Sequence, residues 1–333
     1  MRQAALAGLR KYQHAKRPDL ARPHKIHARN GNATLLRLES GDIAHNNDAH
    51  NEGSSKPAVV LIPSLVNSHF ILDLSDSMSL GRHMAGAGLD PFLVNWGEAA
   101  PEDTGLDLAG HIEQRLVPLI RSIGRPAILV GYCLGGTLAL GAAQMVDPVA
   151  VATIAAPWRF DLYPQEERER IASLWQQSKS LCERIGSVPM EVLQNGFWSL
   201  DPNRTIRKYA AFAEMEEGSD AERAFLAVED WANEGAPLTF GAGRDLFERL
   251  YADNASGNGE WIVGGEPVRP ENLACPTLAI RSTTDRIVPA DAAPPLAERI
   301  DSALGHVGMI VSRRAPDQIW APLSDWLCKR SIK

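Results

Sequence analysis

Ala127-Ile128-Leu129-Val130-Gly131-Tyr132-Cys133-Leu134-Gly135-Gly136 is the stretch on which the reading of this chain turns. Its first four residues form a short apolar run that suits a buried strand, and Leu134–Val146, rich in Ala and Leu, reads as a helix. Between them is a turn with a glycine two residues before and two residues after a cysteine. A side chain presented on so sharp a strand-to-helix turn sits on strained backbone, and its neighbours must be small to avoid collision. The turn also places Cys133 at a helix N-terminus, where unpaired N–H groups and the helix dipole favour negative charge on sulfur. The N–H of Leu134 then points to where an oxyanion would form. Cys133 is therefore the candidate nucleophile.

Outward from this turn, strand and helix signals alternate. Ala58–Ile62 is an apolar run closed by Pro63, and residues 33–38, 91–96 and 149–154 read as further strands. Helical patterns fill 77–86 and a segment that Thr104 or Asp107 caps and that runs to about residue 122, while 41–56 reads as a polar loop. From 158 to 260 the rhythm breaks into segments rich in Trp, Glu, Arg and Gln that read as helices. A strand is expected again at 276–281, then a helix over 292–300, a last strand over 304–311 and a closing helix at 316–329. The pattern predicts a doubly wound, mostly parallel α/β sheet carrying a helical cap insertion. Residues 31–157 and 261–333 make the core, 158–260 the cap, and 1–30 a basic N-terminal arm.

Within residues 1–30, eight Lys and Arg face Asp19 alone, in a chain of 333 residues whose formal net charge is −7. Such an arm suits an acidic partner, a phospholipid surface or an anionic substrate tail, or is simply solvated. The negative charge of the whole argues against nucleic acid as a partner. No apolar run is long enough for a transmembrane segment, and with no long apolar stretch or small-residue cleavage site after the basic start a secretory signal is not expected. Cys133, Cys182, Cys275 and Cys328 lie far apart, with no paired-cysteine or histidine spacing for a metal, so reduced thiols in a cytoplasmic protein are expected. The last three read as core residues.

A cysteine nucleophile needs a base and a group that orients the base. Asp285 follows the apolar run at 277–280, and His306 lies in Leu304-Gly305-His306-Val307-Gly308, where small neighbours leave room for a protruding imidazole. Nucleophile, acid and histidine in that chain order are the order of the α/β-hydrolase fold, and Asp285 and His306 are the expected partners of Cys133. A second oxyanion donor is expected from the loop after Ala58–Ile62, with the N–H of Leu65 first and the hydroxyl of Ser64 as alternative.

At these residues the sequence resembles the polyhydroxyalkanoate synthases, acyltransferases that polymerise 3-hydroxyacyl groups from CoA thioesters through a cysteine-bound chain. Gly131-Tyr132-Cys133-Leu134-Gly135-Gly136-Thr137 is similar to their lipase-like box with Cys for Ser, and Ile62-Pro63-Ser64-Leu65-Val66-Asn67 to another of their blocks. Asn95-Trp96 and Val228-Glu229-Asp230-Trp231 are further points of likeness, and the resemblance covers roughly residues 57–315. It implies Cys133 as acyl acceptor, His306 as base, and Asp285 either orienting His306 or activating the substrate hydroxyl. It also implies Ser64, Asn67 and Trp231 on the substrate side, 3-hydroxyacyl-CoA as substrate with no cofactor, and a polyester granule surface as a location. The length resembles that of the smaller synthases, implying a homodimer or a synthase partner subunit. Trp158, Trp175, Trp198 and Trp231 are candidate linings of an acyl channel, and Arg159 and Arg286 candidate contacts for CoA phosphates. Two other readings stand beside it: a thioesterase or esterase with the same triad and water as acceptor, and a non-catalytic relative binding granules or a synthase through its basic arm and cap.

Overall fold

A computed structural model describes residues 1–17, 24–39, 57–200 and 202–331, with the side chains of 196–200 and 202–204 excepted. The loop expected at 41–56 lies outside these. Strands β1 (Lys25–Asn30), β2 (Ala33–Arg37), β3 (Ala58–Ile62), β4 (Asp90–Asn95), β5 (Ala127–Tyr132), β6 (Ala150–Ile154), β7 (Thr277–Ser282) and β8 (Glu298–Ser302) form one sheet. Their order is β1-β2-β4-β3-β5-β6-β7-β8, parallel from β4 to β8, with β1 and β2 antiparallel at one edge. All residues of β3, β5 and β6 are buried. Continuous apolar runs are what a parallel strand covered on both faces requires, which is why these three strands are visible in the sequence.

Two expectations near the C-terminus fail. Where a helix was expected at 292–300, β8 runs parallel to β7, and residues 308–311 of the expected last strand are a short helix. Pro294 and Pro295 stop a helix from starting there. β8 is an edge strand with four of its five residues at least partly exposed, so it carries Glu298, Arg299 and Asp301. The Asp301 carboxylate accepts from Arg281 Nε, its register partner on β7, at 2.6 Å.

The helices that bear on the site are α1 (Arg2–His14), α2 (Leu134–Val146), α3 (Gln165–Ile185), α4 (Met190–Leu200), α5 (Pro202–Ala213) and α6 (Asp220–Asn233). α3 to α6, with a helical segment through Phe240–Arg244 and Asp245–Ala252, lie over the C-terminal ends of the strands and make up the cap.

Residues 1–30 are not one arm. Lys25–Asn30 is β1, paired with β2, and α1 packs across α5 so closely that a Cβ at Gly8 would stand 1.8 Å from the carbonyl oxygen of Tyr209. Lys11 reaches Glu222 at 3.0 Å and Arg17 reaches Asp230 at 2.8 Å, and the Tyr12 hydroxyl also donates to Asp230. Two of the eight basic residues, Lys11 and Arg17, are thus matched by carboxylates of α6 within the chain. Arg22 lies outside the described residues.

Candidate active site

Cys133 caps α2 with φ 54° and ψ −132°, a left-handed conformation that a side chain-bearing residue adopts only under constraint. The constraint is backbone packing. Cys133 N–H donates to Ile154 O at 2.9 Å, fastening the turn to the end of β6, and Gly136 N–H donates back to Cys133 O at 2.8 Å. A Cβ on Gly131 would meet Gly135 O at 2.4 Å, and one on Gly135 would meet Ile62 O at 2.1 Å and Pro63 O at 2.5 Å. The glycines flanking Cys133 are therefore demanded by sterics, as expected. So is Gly136, whose Cβ would meet that of Ala156 at 2.4 Å.

Asp285 lies in the loop after β7 and His306 in the loop after β8. The carboxylate is held at both oxygens: Oδ1 accepts from Ile287 N–H at 2.7 Å and Val288 N–H at 3.1 Å, while Oδ2 faces His306 Nδ1 at 2.7 Å. Both side chains are at most 5% exposed. With Nδ1 engaged, the other ring nitrogen is left for Cys133, with which His306 shares a side-chain hydrogen bond. Burial opposes the imidazolium, but the charges of Cys133 and Asp285 and their hydrogen bonds outweigh it, and His306 is pushed up to about 10.

Residues that sequence reasoning did not mark hold this relay in place. Thr283 N–H donates to Ser302 O at 2.9 Å and the Thr284 hydroxyl to Ala303 O at 2.9 Å, lacing the acid loop to the histidine loop. The buried Tyr132 ring lies against the imidazole, with centroids 5.3 Å apart. No spacing rule marks Tyr132; its position beside Cys133 was the available signal.

Leu134 opens α2, so its N–H has no intrahelical acceptor. The loop bearing Leu65 runs against the same turn, as the approach of Ile62 O and Pro63 O to Gly135 requires. The Ser64 hydroxyl accepts from Val66 N–H at 3.1 Å and so shapes this loop. Asn67 and Trp231 bridge loop and cap: Asn67 Nδ2 donates to Trp231 O at 3.5 Å and Trp231 Nε1 to Ser68 O at 2.8 Å. Ser64, Asn67 and Trp231 nevertheless all line the cavity that Cys133 and His306 open into, a space of about 1300 Å³ under the cap.

The tryptophan channel is not borne out as a set. Trp158 packs edge-on to Trp261 and Trp175 stacks on Phe247, both as buried core, and the Trp198 side chain lies outside those described. Aliphatic and aromatic residues such as Ile171, Leu174, Leu193 and Phe247 line the space instead. Arg159 forms a two-bond pair with Asp161. Arg286 and Arg313 are exposed at the cavity. Among the described residues there is no acidic, histidine or cysteine cluster suited to a metal ion, and no helix long and apolar enough to cross a membrane.

Comparison with known proteins agrees with this architecture. A curated relative from Haloferax mediterranei, named poly(3-hydroxyalkanoate) polymerase subunit PhaC, is 29% identical over 294 residues, covering 82% of this chain and 59% of the relative. The chain thus spans about three fifths of that relative's length. A relative of the same name from Allochromatium vinosum is 26% identical, with 82% of this chain and 81% of the relative covered. The crystal structure of epoxide hydrolase A from Mycobacterium thermoresistibile superposes with a TM-score of 0.52 at 15% identity, covering 92% of this chain and 98% of that one, a likeness of fold alone. A model described as the alpha/beta hydrolase family matches residues 59–319. With that match over most of its length, and a sheet in which the turn bearing Cys133 follows β5, the loop bearing Asp285 follows β7 and the loop bearing His306 follows β8, the chain belongs to the alpha/beta hydrolase family.

Proposed function

We propose that this chain is an acyltransferase that accepts a 3-hydroxyacyl group from a CoA thioester onto Cys133 and passes it to a hydroxyl, lengthening a polyester. The observation that carries the reading is a thiol, in place of the usual hydroxyl, at the head of the His306–Asp285 relay and open to a large cavity. A thiolate and a thioester exchange readily because nucleophile and leaving group are of similar basicity.

His306 takes the Cys133 proton, and the sulfur attacks the thioester carbonyl. The resulting oxyanion faces the N–H groups of Leu134 and Leu65. Collapse breaks the carbon–sulfur bond to CoA, which leaves as the thiol with the proton from His306. In the second half, an acceptor hydroxyl gives its proton to His306 while its oxygen attacks the Cys133 thioester, and Cys133 is expelled to take that proton back. Of the two roles open for Asp285, orienting His306 is favoured, since both carboxylate oxygens are already engaged. Arg286 and Arg313 are suited by place and charge to the phosphates of CoA. The curated relatives carry the name of a polymerase subunit, which supports assembly with a second subunit or a second copy.

The test is purified protein given 3-hydroxybutyryl-CoA, with CoA release and product followed together. Insoluble polyester is expected, and Cys133→Ala is expected to lower CoA release by about 10⁴-fold or more. Release of CoA with free acid as the sole product overturns the transferase and leaves a thioesterase; unchanged behaviour of Cys133→Ala overturns both.

A further inference from the structure

The loop that leaves β3 carries the second oxyanion donor of the acyl-transfer reading, and a residue from outside the loop holds it. Trp96 stands one position past the end of β4, the strand paired parallel to β3. Their register sets Leu61 against Leu93, so Pro63 comes level with Asn95 and Trp96 follows beside it. The Trp96 indole Nε1–H donates to Pro63 O at 3.0 Å. The ring is fixed from its own side as well. It meets buried His111 edge-on with centroids 6.3 Å apart, and His111 Nδ1 lies 2.8 Å from Asp107 O. After Trp96 the chain turns at Gly97, φ 66°, whose N–H donates to Asn95 Oδ1 at 3.0 Å and whose Cβ, if present, would stand 2.3 Å from Asn32 O. That tight turn sets where the indole points.

Three successive peptide units decide where the Leu65 N–H is directed. The unit Pro63–Ser64 is held through its carbonyl by Trp96. The unit Leu65–Val66 is held through its N–H, which donates to the Ser64 hydroxyl at 3.1 Å. The unit between them carries the Leu65 N–H, for which no described residue is an acceptor, so its direction depends on its two neighbours. The Ser64 tie is internal to the loop; Trp96 supplies the tie to the sheet. Ser64 and Val66, on either side of Leu65, line the cavity together with Cys133 and Leu134. Leu65 also borders a separate space of about 30 Å³ that Trp96 and His111 line, so packing alone leaves the loop room to shift. A flip of the middle unit would exchange its N–H for the Ser64 carbonyl and set an oxygen against the oxyanion.

We propose that Trp96 is a positioning residue for the oxyanion hole: by holding the Pro63 carbonyl, its indole keeps the Leu65 N–H directed at the carbonyl that Cys133 attacks. This deepens the acyl-transfer reading and rests on Cys133 as nucleophile and Leu65 as donor, with a hydroxyl or water as acceptor alike. Trp96 does not line the cavity and acts only through the loop. A donor of this kind works by being in place before charge develops, which is what a supporting hydrogen bond secures. The other indole on the loop, Trp231, donates to Ser68 O three residues past Leu65 and ties the far end to the cap.

The test compares two reactions of one thiol. Alkylation of Cys133 by iodoacetamide needs the thiolate, whose sulfur displaces iodide from carbon, and no oxyanion forms. Attack on a thioester needs the thiolate and the hole. Trp96→Phe keeps a ring against His111 and loses the donor. It is expected to lower kcat for CoA release from 3-hydroxybutyryl-CoA by about tenfold to a hundredfold. Affinity for the thioester, titrated in the Cys133→Ala background, is expected to stay within about twofold. Labelling of Cys133 by iodoacetamide, followed against pH by mass spectrometry, is expected to keep its rate and pH profile. Trp96→Leu, also without a donor, is expected to show the same split. CoA release at the parent's rate by either variant, or labelling slowed as much as CoA release, overturns the role. If the split appears and only free acid forms, polymer synthesis fails and the role of Trp96 stands; if polyester forms equally fast with and without the indole, the role of Trp96 alone fails. If the parent releases no CoA from this thioester, the substrate reading fails, and the split is read on p-nitrophenyl butyrate, whose cleavage also passes through an oxyanion.

Discussion

Strand β5 and cap helix α3 obey different rules. All six residues of β5 are buried, whereas α3 buries three of its twenty-one, namely Glu167, Trp175 and Cys182. In β5 the surroundings dictate every side chain, and the strand leads directly into the turn that exposes Cys133. In α3 most positions face water, and of the three that do not only Glu167 lines the cavity, beside the half-buried Ile171 and Leu174. The sheet thus sets the turn that presents Cys133, and the cap builds a wall of the cavity into which that turn opens.

The sharpest way to break this contrast is at the relay. Asp285→Asn keeps the shape but loses the charge facing His306 Nδ1, and CoA release is expected to fall by about 10³–10⁴-fold with little change in substrate affinity. A loss below tenfold, measured by steady-state kinetics, would mean that the sheet does not set the chemistry. Next comes the turn. Gly135→Ala forces a methyl into the backbone of Ile62 and Pro63, and urea unfolding is expected to register about 3 kcal/mol of destabilisation.

Cap substitutions are expected to act more gently. Glu167 is pushed up from its ordinary 4.5 to about 7, so the folded protein holds this proton more tightly than the unfolded chain does. Its contribution to stability is therefore greatest below pH 4.5 and is lost as pH rises through about 7. Glu167→Gln removes that loss. Relative to the parent, it is expected to gain on the order of 1 kcal/mol between pH 5 and pH 8 in chemical denaturation, and the opposite trend would contradict the burial of this carboxyl. The smallest effect is expected from Trp231→Phe, which deletes the indole donation to Ser68 O and costs about 1 kcal/mol, read as a lowered melting temperature.

The same contrast explains what the sequence could reveal. The turn around Cys133 is legible because close backbone packing imposes glycine at fixed offsets, and β3, β5 and β6 because burial on both faces leaves only apolar residues. Asp285 and His306 are legible from chain order. β1 and β8 are not, for they are edge strands whose charged residues imitate a solvated arm and an exposed helix. Trp158 and Trp175 mislead in the other direction, since indole rings suit a core as well as a channel. Glu167 carries no local signal at all: an acid in a helical first turn is ordinary until the fold covers it.

The contact between α1 and the cap has a mechanical meaning. Gly8 rests on the backbone of α5, and Lys11, Tyr12 and Arg17 grip carboxylates of α6. A tether fastened ahead of α1 therefore pulls on the roof above the sulfur, while one fastened after the helix Ala321–Cys328 pulls on an element whose Leu323, Trp326 and Leu327 are buried together with residues of the sheet. Immobilised by opposite ends, the same molecule would feel load at its lid in one case and at its foundation in the other.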